Sequence, residues 1–440
     1  MQRICGFSKL GKLQKLDFVV NKYLDGSTNA RELMIDSWHR RDDEQKLLEQ
    51  FSENTVTNFH LPYGVIPELF INGKSYCVPM VTEESSVVAA CARSAKFWRE
   101  RGGFHSEVIS TTKVGQIHFS WHGDSSKLKE FFTRKKDELL LSVEFLNKSM
   151  ALRGGGISGV SLVDRTEDEP RYYQLLVEFE TCNAMGANFI NSVIEAMAEN
   201  FSQMVVRELT FSSTEKEIEI IMAIVSNYNQ DCVVKTSVRC LIKDLLDPKL
   251  GLDPDCFVRK FKKAVRISKI DRERAVTHNK GIMNGIDAVV LATGNDFRAV
   301  EACVHAWASR SGKYQGLTDV DLSDGHFEFS MKIPMSIGTV GGLTSLHPMA
   351  RLSLDMLGLP DAEELMSIIA SVGLAQNFAA IRSLITDGIQ RGHMKMHLMN
   401  ILNHLEANEE EKQMSQKYFS DRVISFTDVR DYLAGLRNYH

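Results

Sequence analysis

The most constraining feature of this chain is an alternation of strand-like and helix-like patterns between about residues 112 and 225. In six successive segments the apolar residues repeat either at the two-residue period of half-buried strands or at the 3.6-residue period of helices. The strand segments are residues 116–120, 160–163, 173–180 and 217–225, and the helical segments are residues 126–152 and the run from Gly186. This order predicts a compact split-βαβ domain of ferredoxin-like (βαββαβ) type.

The length of the chain requires more than this one domain. A single hydrophobic core stops growing well below 440 residues, so two or three domains are expected. The net charge is -5, and the basic residues are scattered among acidic neighbours instead of forming the basic stripe of a nucleic-acid-binding surface. We therefore predict no nucleic-acid partner, while a local basic cluster remains compatible with one small anionic ligand.

The sequence predicts neither a membrane segment nor a cysteine-based metal site. No run of residues resembles the long uninterrupted apolar stretch of a membrane-spanning helix, and residues 1–16 lack the apolar core of a secretory signal. The eight cysteines include no C-x-x-C pair, which excludes the spacing of zinc ribbons and thioredoxin-like sites. Reduced, mostly buried thiols in a cytoplasmic protein are the expectation.

A lysine and a carboxylate mark the candidate catalytic region. Lys280 lies in residues 277–285 (THNKGIMNG), and Asp296 ends the segment ATGND at residues 292–296. A lysine that shares a partly dry site with an acid keeps its charge and can stabilise a developing oxyanion, while the acid links the two protonation equilibria. The two glycines that follow the lysine are expected to let the backbone approach a ligand closely. This pairing suggests carbonyl chemistry.

These segments resemble the 3-hydroxy-3-methylglutaryl-coenzyme A (HMG-CoA) reductase family. Seven blocks carry the resemblance in the family's order: VPMVTEESSVVAA (78–90), AMGAN (184–188), THNKGIMNG (277–285), ATGND (292–296), GTVGG (338–342), VGLAQNFA (372–379) and GIQRGHM (388–394). One short motif is weak support, whereas seven in order leave little room for coincidence. Because no anchor like that of the animal and plant enzymes is expected, the chain is similar to the soluble bacterial form, often called class II.

The resemblance implies an activity and roles for four side chains. The reaction is the four-electron reduction of HMG-CoA to mevalonate and free coenzyme A, a step of isoprenoid synthesis, in which the thioester carbonyl accepts hydride twice from NADPH or NADH. Lys280 would stabilise the oxyanion, Glu84 would deliver a proton, and Asp296 would bridge them and set their pKa values. His393 would protonate the departing thiolate of coenzyme A.

Further residues receive binding roles by similarity. The candidates for holding the acyl carboxylate, the thioester or nearby groups are Ser86, Arg274, Asn284, Asn227 and Gln376. The candidates for the dinucleotide are Asn183, Met185, Gly186 and Asn188, at a helix start where free N–H groups and the helix dipole favour a phosphate. From spacing alone a closely packed helix start fits this segment equally well, and the similarity to the family's D-A-M-G-x-N motif favours cofactor binding.

Two departures from the family pattern bear on the cofactor. Asn183 stands where most relatives have Asp, which removes a charge but keeps hydrogen-bonding capacity. Residues 154–159 (GGGISG) satisfy G-x-G-x-x-G, yet they lie between a helix and a strand and so predict a turn, not a Rossmann fingerprint. Some relatives that use NADH carry an acidic residue where this chain has Gly159. The missing carboxylate favours NADPH, because less charge repels its 2′-phosphate.

Two of the catalytic candidates have structural alternatives. Glu84 precedes a predicted helix over residues 85–98, where an acid also complements the helix dipole. Asp296 equally fits the N-cap of the helix that follows it and ends near Gly312. Alone, each of these residues is adequately explained by its helix, and the resemblance adds the catalytic role.

The C-terminal region is predicted to be a small helical flap with a charged segment over residues 406–417 and a capped helix near residues 427–436. In the family this segment closes over the site and brings in the histidine, as lids do in enzymes that exclude water. His393 and His397 also have the i, i+4 spacing of H-E-x-x-H sites, but a methionine replaces the glutamate. No metal is therefore predicted, and His397 is interpreted as a surface histidine.

The expected fold is α+β in three parts. A large mixed α/β domain, formed by residues 1–110 and 227–387, would bind the acyl-CoA and carry the catalytic residues. The inserted ferredoxin-like domain, residues 111–226, would bind NAD(P), and residues 388–440 would form the flap. The family forms dimers with active sites at the subunit interface, which implies a homodimer or higher even oligomer. Two alternatives stay open: an enzyme that oxidises mevalonate with NAD and coenzyme A, and a non-catalytic paralogue that binds coenzyme A esters.

Overall fold

The computed structural model describes residues 6–245, 253–386, 398–420, 422 and 424–438 and has an α+β fold in which the described strands form three antiparallel sheets. A 3-10 turn (Phe7–Lys9) and three helices come first: α1 (Lys12–Tyr23), α2 (Thr28–Asp36) and α3 (Asp42–Glu49). A hairpin of β1 (Tyr63–Ile71) and β2 (Lys74–Val81) leads through α4 (Val87–Arg99) to β3 (His105–Thr111). The predicted α+β class is confirmed.

The next seven elements form a small ferredoxin-like unit. They are β4 (Lys113–Trp121), α5 (Ser125–Ser142), α6 (Glu144–Ala151), β5 (Gly156–Asp164), β6 (Tyr172–Glu180), α7 (Ala187–Arg207) and β7 (Ile218–Val225). The strand order is β5-β6-β4-β7, and every neighbouring pair is antiparallel. This is the order of a split-βαβ unit, so the predicted topology is confirmed.

The first helix of this unit requires one correction, because residues 126–152 were predicted as a single helix. The structure has two helices separated at Val143, which is fully buried in the core of the small unit. Its backbone, with φ -114 and ψ 7, leaves the helical region to place the side chain there. Burial of one β-branched side chain therefore overrides the helical pattern on either side of it.

The second helix, α7, follows the prediction and packs closely on the sheet. Its buried face consists of Ile190, Val193, Ile194, Met197, Ala198, Phe201 and Val205. A Cβ on Gly115 of β4 would lie 2.9 Å from methyl groups of Ile190 and Ile194. The absence of a side chain at Gly115 thus permits the close approach that fixes the start of α7 relative to β4.

The chain then returns to the large unit. Its remaining elements are β8 (Cys232–Leu241), a 3-10 turn (Ile242–Leu245), α8 (Pro254–Ile270), α9 (Arg272–Ala292), α10 (Phe297–Ala308), β9 (Thr318–Ser323), β10 (His326–Pro334), α11 (Gly342–Leu346), α12 (Pro348–Met356) and α13 (Ala362–Ile385). The sheet order is β3-β8-β10-β9. Pairing of β3 with β8 joins the two halves of this unit across the insertion.

Helix α13 is the central helix of the large unit and packs against α9, α4 and β8. Its length and composition would allow it to cross a membrane, which corrects the expectation that no segment is apolar enough. However, 67% of the apolar window is buried inside the protein. A helix that is apolar on all sides and covered by other elements is a core helix.

The buried apolar side chains of the described residues form three separate clusters. One extends from Ile66 to Ile381 but omits the small unit, the second lies between Ile117 and Phe211, and the third between Leu398 and Leu433. The third cluster is formed by a helical stretch over residues 398–404 with α14 (Glu409–Tyr418) and α15 (Phe426–Asn438). The predicted charged segment overlaps α14, and the capped helix predicted near residues 427–436 corresponds to α15.

Candidate active site

Lys280 and Glu84 form the ion pair at the centre of the candidate site. Lys280 lies on α9, and Glu84 lies in the loop between β2 and α4. Lys280 Nζ donates to Glu84 Oε2 at 2.5 Å. The side chains are 58% and 39% exposed, so the pair is open to solvent and contributes little to folding stability. A cationic donor and an acid–base group are thus within reach of a single substrate carbonyl.

The loop that carries Glu84 has a strained backbone. Ser86, the residue before α4, has φ 76 and ψ -19, in the left-handed region that non-glycine residues rarely adopt. Its carbonyl accepts the Ala90 N–H at 2.8 Å, and the Glu84 N–H donates to Thr82 Oγ1 at 3.1 Å. Such strain persists only where the surrounding structure fixes it, and it is concentrated at functional sites. The predicted helix begins after Ser86, so Glu84 lies outside its first turn.

Lys280 lies on a regular helix, which corrects the expectation drawn from its glycine neighbours. Helix α9 is continuous through the whole THNKGIMNG segment. A Cβ on Gly285 would lie 3.0 Å from Gln376 Cβ and from Val372 O on α13, whereas a Cβ on Gly281 would lie 3.9 Å from its nearest neighbours there. Gly285 therefore serves close helix packing and not the approach of a ligand to the backbone.

A buried polar network holds α9 beside Lys280. His278 Nε2 lies 2.7 Å from Thr318 Oγ1. Asn279 Nδ2 donates to Gln315 O at 2.9 Å, and Asn279 Oδ1 accepts the Leu317 N–H at 3.0 Å. Burial lowers the pKa of His278 to about 3, so the imidazole is neutral. No structural role was predicted for either residue, and the signal that marks them is a pair of polar side chains on an otherwise apolar helix face.

Asp296 caps α10, which was one of its two predicted roles. Its Oδ1 accepts the N–H groups of Arg298 and Ala299, both at 3.1 Å, and Arg298 Nε lies 3.3 Å from the same oxygen. Within the described part of the chain, Asp296 makes no ion pair with Lys280 and no hydrogen bond with Glu84. The expected bridge between these two residues is therefore not formed in this state.

Three of the predicted motif segments meet at one place. Asn295, in ATGND, accepts the Gly338 N–H on its Oδ1 at 2.8 Å. The Asn183 carbonyl accepts the Thr339 N–H at 2.8 Å, and Asn183 Oδ1 accepts the Ala362 N–H at 3.0 Å, at the start of α13. A Cβ on Gly338 would overlap the backbone of the Asn183 segment. Asn183 thus joins the small unit to the large one, and its amide keeps the acceptor oxygen that an aspartate would also provide.

The N-terminus of α7 has the features of an anion site. Gly186 is the N-cap with φ 92, and a Cβ there would lie 2.5 Å from the Thr181 side chain, so only glycine fits. No side chain of the described residues caps the first turn, which leaves its N–H groups free. Asn188 is exposed in that turn and Met185 is half-buried in front of it. Together with Asn183, the four predicted cofactor residues are contiguous on one loop and helix start.

A carboxylate does lie beside Gly159, although residue 159 itself has none. Gly159 of β5 pairs with Glu178 of β6, and a Cβ at Gly159 would lie 2.7 Å from Glu178 Oε2. Glu178 is exposed and makes no ion pair with another described residue. Residue 159 lacks a carboxylate, as predicted, but Glu178 places one on the neighbouring strand. Positive φ values at Gly154 and Gly156 confirm the predicted helix-to-strand turn, but the turn ends earlier than predicted because β5 already begins at Gly156.

Two substrate candidates lie on the same helix as Lys280. Asn284 follows Lys280 by one turn and faces the same side of α9. Arg274 lies in the first turn, where burial lowers its pKa while the charge of Asp271 opposes this shift. Helix α9 therefore presents a cation, an amide and a second cation from one rigid element.

The other three substrate candidates lie on separate elements. Gln376 of α13 is 6% exposed, and its Oε1 has no hydrogen-bond partner among the described residues. A buried acceptor without a donor requires an explanation, and a bound ligand donor would provide one. Ser86 is the residue before α4 and lies near Glu84 in the chain, whereas Asn227 is exposed in the loop after β7.

A pair of carboxyl groups, which was not predicted, joins α9 to α10. Asp287 of α9 hydrogen-bonds Glu301 of α10, and His305 Nε2 lies 2.7 Å from Glu301 Oε2. Burial and the bond to Glu301 raise the pKa of Asp287, while His305 holds the pKa of Glu301 below its usual range. Asp287 therefore carries the shared proton. The pair links the helix of Lys280 to the helix that Asp296 caps.

His393 and His397 lie outside the described residues. Within the described ranges, no group of three or more His, Cys, Asp or Glu side chains is arranged to hold a metal ion.

Comparisons with known proteins agree with one another. The sequence model of a family described as hydroxymethylglutaryl-coenzyme A reductase matches residues 19–398. The 3-hydroxy-3-methylglutaryl-coenzyme A reductase of Archaeoglobus fulgidus is 35% identical over 386 residues, which is 87% of this chain and 82% of that protein. The probable 3-hydroxy-3-methylglutaryl-coenzyme A reductase of Borreliella burgdorferi is 36% identical over 376 residues, with coverage of 86% and 83%.

A solved structure extends the similarity to the fold. The class II 3-hydroxy-3-methylglutaryl-CoA reductase from Streptococcus pneumoniae, bound to NADPH in open conformations, matches with a TM-score of 0.71 and 36% identity. The match covers 86% of this chain and 99% of the Streptococcus pneumoniae chain.

Proposed function

The chain belongs to the hydroxymethylglutaryl-coenzyme A reductase family, and from this premise we propose that it reduces the thioester of HMG-CoA to the primary alcohol of mevalonate and releases coenzyme A. The observation that carries the proposal is the 2.5 Å contact between Lys280 and Glu84, on an open surface of the large unit. A thioester carbonyl that accepts hydride becomes an oxyanion, and a positioned ammonium group stabilises that charge.

Lys280 and Glu84 divide the work at the reacting carbonyl. Lys280 Nζ binds the carbonyl oxygen and stabilises the negative charge that develops on it. Glu84, when protonated, delivers a proton to that oxygen. Asp296 acts with them once the site closes, when its carboxylate would bridge Lys280 and Glu84. Support for this closure is that Asp296 is 40% exposed and that, among the described residues, its one ion pair is with the 79% exposed Arg298.

His393 serves the leaving group. The hemithioacetal collapses to an aldehyde when the thiolate of coenzyme A departs, and protonation of the sulfur makes this departure easier. The support is the match of GIQRGHM (388–394) to the family, together with a C-terminal unit that has its own apolar cluster. Such a unit can move as a lid over the site.

We propose NADPH as the reductant, with the dinucleotide held at the start of α7. Asn183, Met185, Gly186 and Asn188 would hold it, because the uncapped helix N-terminus and the glycine cradle suit a phosphate. The bound nicotinamide supplies hydride, while the protein supplies orientation and charge. The NADPH bound to the Streptococcus pneumoniae enzyme supports this choice, and Glu178 is the residue that opposes it.

The acyl-CoA is proposed to bind against α9 and α13. Arg274 would hold the carboxylate of the acyl group, since a guanidinium recognises carboxylates. Asn284 would donate to the thioester region. Gln376 would accept a hydrogen bond from the acyl-CoA, because its buried Oε1 has no partner among the described residues. Ser86 and Asn227 complete the proposed set from the loops after β2 and β7.

The domain division is proposed as 1–110 with 227–387 for acyl-CoA binding and catalysis, 111–226 for the dinucleotide, and 388–440 for the flap. Three separate apolar clusters support three units. The pairing of β3 with β8 supports a discontinuous large domain.

We propose that the active protein is a cytoplasmic homodimer or a higher even oligomer. The face of α9 that carries Lys280 also presents Val276 and Leu291, which are 51% and 36% exposed. Apolar side chains beside a catalytic ion pair favour a covering surface, and a second subunit would provide it. The burial of α13 inside the protein supports a soluble location.

The direct test is loss of absorbance at the reduced-nicotinamide band. Purified protein and HMG-CoA are mixed in parallel cuvettes with NADPH and with NADH. Turnover that depends on HMG-CoA is the expected result, faster with NADPH. No turnover in either cuvette, with HMG-CoA still bound, would replace the reductase with a non-catalytic protein that binds coenzyme A esters.

A further inference from the structure

Lys113 is a buried cation for which the proposed chemistry has no use. It is the first residue of β4 and is 2% exposed. Its Nζ donates to the Thr181 hydroxyl and to the Ala184 carbonyl, the latter at 3.2 Å. Both acceptors are neutral, and no carboxylate oxygen of the described residues lies within 4.0 Å of Nζ. A buried ammonium without an opposite charge is costly, so its position requires an explanation.

The contacts of Lys113 hold the segment that leads into α7, residues 181–186. Thr181 accepts the bond from Lys113 and donates its own hydroxyl proton to Ala184 O at 2.6 Å. The Thr181 side chain also lies against Gly186, where a Cβ would be 2.5 Å away. The ammonium, the hydroxyl and the glycine therefore fix the curvature of this segment just before the uncapped helix start.

The groups around Lys113 do not pair with its charge. Glu180, at the end of β6, accepts hydrogen bonds from Thr111 Oγ1 at 2.5 Å and from Thr112 Oγ1 at 2.9 Å. The other titratable neighbours are the thiols of Cys182, on the segment itself, and Cys232, on β8. Burial raises the pKa of Cys232 to about 12, so this thiol is neutral near pH 7. A positive charge that Glu180 offsets only in part remains behind the segment.

We propose that Lys113 is a positioning residue for the phosphates of the pyridine dinucleotide, an inference that rests on the proposed function. It holds residues 181–186 so that the free N–H groups of α7 face an anion, and its buried charge adds to the attraction of the helix dipole. A charge in surroundings without water is screened less than a surface charge, so it acts over the short distance to the helix start without touching the phosphate.

The proposal has a consequence for the pH dependence of binding. Burial lowers the pKa of Lys113, and an anion bound nearby favours the charged form. The free protein therefore loses this proton at lower pH than the complex does. At pH values between the Lys113 pKa of the free protein and that of the complex, dinucleotide binding takes up a proton. The Kd for the dinucleotide therefore rises as the pH is raised through this interval. The titratable groups that face Lys113 are Glu180, Cys182 and Cys232.

The experiment measures the Kd for NADPH by fluorescence, without turnover, and the Kd for HMG-CoA on the same preparations. Lys113→Met removes the charge, and Lys113→Arg restores a cation that stays charged at every working pH. Lys127→Met is the matched control, because Lys127 lies on α5 of the same unit, is 54% exposed and pairs with Glu215. Each Kd is measured from about pH 7 to about pH 10, below the ordinary pKa of a lysine side chain.

For Lys113→Met we expect the Kd for NADPH to rise about tenfold, which corresponds to about 1.4 kcal/mol, while the Kd for HMG-CoA changes less than twofold. The wild type and Lys127→Met should bind NADPH more weakly as the pH rises, and Lys113→Arg should not. A wild-type Kd that does not change with pH, or a folded Lys113→Met protein with the wild-type Kd, would overturn the inference. If Lys113→Met does not fold, the wild-type pH series and Lys113→Arg decide alone. A wild type that binds HMG-CoA but no dinucleotide would refute the proposed function instead.

Discussion

The proposed catalytic ion pair and the proposed dinucleotide segment use lysine in opposite ways. Lys280 is 58% exposed and pairs with Glu84. Lys113 is 2% exposed, and within the described part of the chain it donates to one hydroxyl and one carbonyl. An exposed pair gains strength only when substrate, flap or a second subunit excludes water from it, whereas a buried charge is already desolvated. We therefore expect the proposed catalytic region to be completed by closure, and the proposed dinucleotide region to be organised in advance.

The position of Lys280 is nevertheless fixed. His278 and Asn279, its neighbours on α9, are 1% and 0% exposed and are hydrogen-bonded to the segment before β9 and to β9 itself. Gly285, also on α9, packs against α13. We therefore expect closure to change the solvent exposure of Lys280 and to leave its backbone position unchanged.

The largest effect is expected from Lys280→Met. Loss of the oxyanion donor should lower kcat for thioester reduction by about 10³-fold, with little change in melting temperature because the pair is exposed. Lys74→Met is the matched control, since Lys74 is 54% exposed and also contacts a glutamate, Glu364, at 2.5 Å. Steady-state kinetics of both variants distinguish a specific role of Lys280 from the general effect of removing an exposed lysine–glutamate pair. Similar rates for the two variants would show that the Lys280–Glu84 pair has no special function.

The next effect concerns the flap. His393→Gln should slow reduction of HMG-CoA by about 100-fold but leave reduction of free mevaldehyde within about threefold, because only the thioester reaction expels a thiolate. His397→Gln, four residues away, is the control and should leave both rates unchanged. Equal losses with both substrates would argue that His393 acts on something other than the thiolate.

A stability experiment tests whether the position of Lys280 is fixed by packing. Gly285→Ala places a Cβ 3.0 Å from Gln376 Cβ and Val372 O, so the free energy of unfolding should fall by about 1–3 kcal/mol. Gly281→Ala places its Cβ 3.9 Å from its nearest neighbours and should be stabilising by up to about 1 kcal/mol, the helix propensity gained. Denaturant unfolding compares the two. The same sign for both variants would contradict the packing account of α9.

The smallest effect concerns cofactor choice. Glu178→Gln removes the carboxylate beside Gly159 and should raise the ratio of kcat/KM for NADPH over that for NADH about fivefold. The effect is small because solvent partly screens the repulsion between one exposed carboxylate and the 2′-phosphate. Glu219→Gln, on the exposed edge strand β7, is the control and should not change the ratio. A shift toward NADH in Glu178→Gln would show that this carboxylate does not repel the 2′-phosphate.

The sequence predicted the elements whose periodicity is strong. The alternation between residues 112 and 225 is enough to predict the ferredoxin-like order, because each strand and α7 has one buried face. The helix break at Val143 could not be predicted, because it depends on which side chain is buried when the tertiary core packs. The role of Gly285 was also missed, because its partners Val372 and Gln376 lie far along the chain.

For the site, residue types and their order in the sequence were sufficient to select candidate residues. They were not sufficient to predict which candidates contact one another. The contact of Lys280 with Glu84 spans 196 residues, and no local pattern encodes it. Glu178 became visible only through its pairing with Gly159 across two strands. Lys113 resembles any strand-end lysine in the sequence, and only its burial distinguishes it. Contacts between distant segments are therefore what the structure adds.

The most direct measurement of the central claim is the ratio of NADPH oxidised to coenzyme A thiol released, followed in one reaction by absorbance and by a thiol reagent. A four-electron reduction at Lys280 and Glu84 predicts two NADPH oxidised for each thiol released. Thiol release without NADPH oxidation, or with only one NADPH, would contradict the account, because the carbonyl would then be hydrolysed or left as the aldehyde.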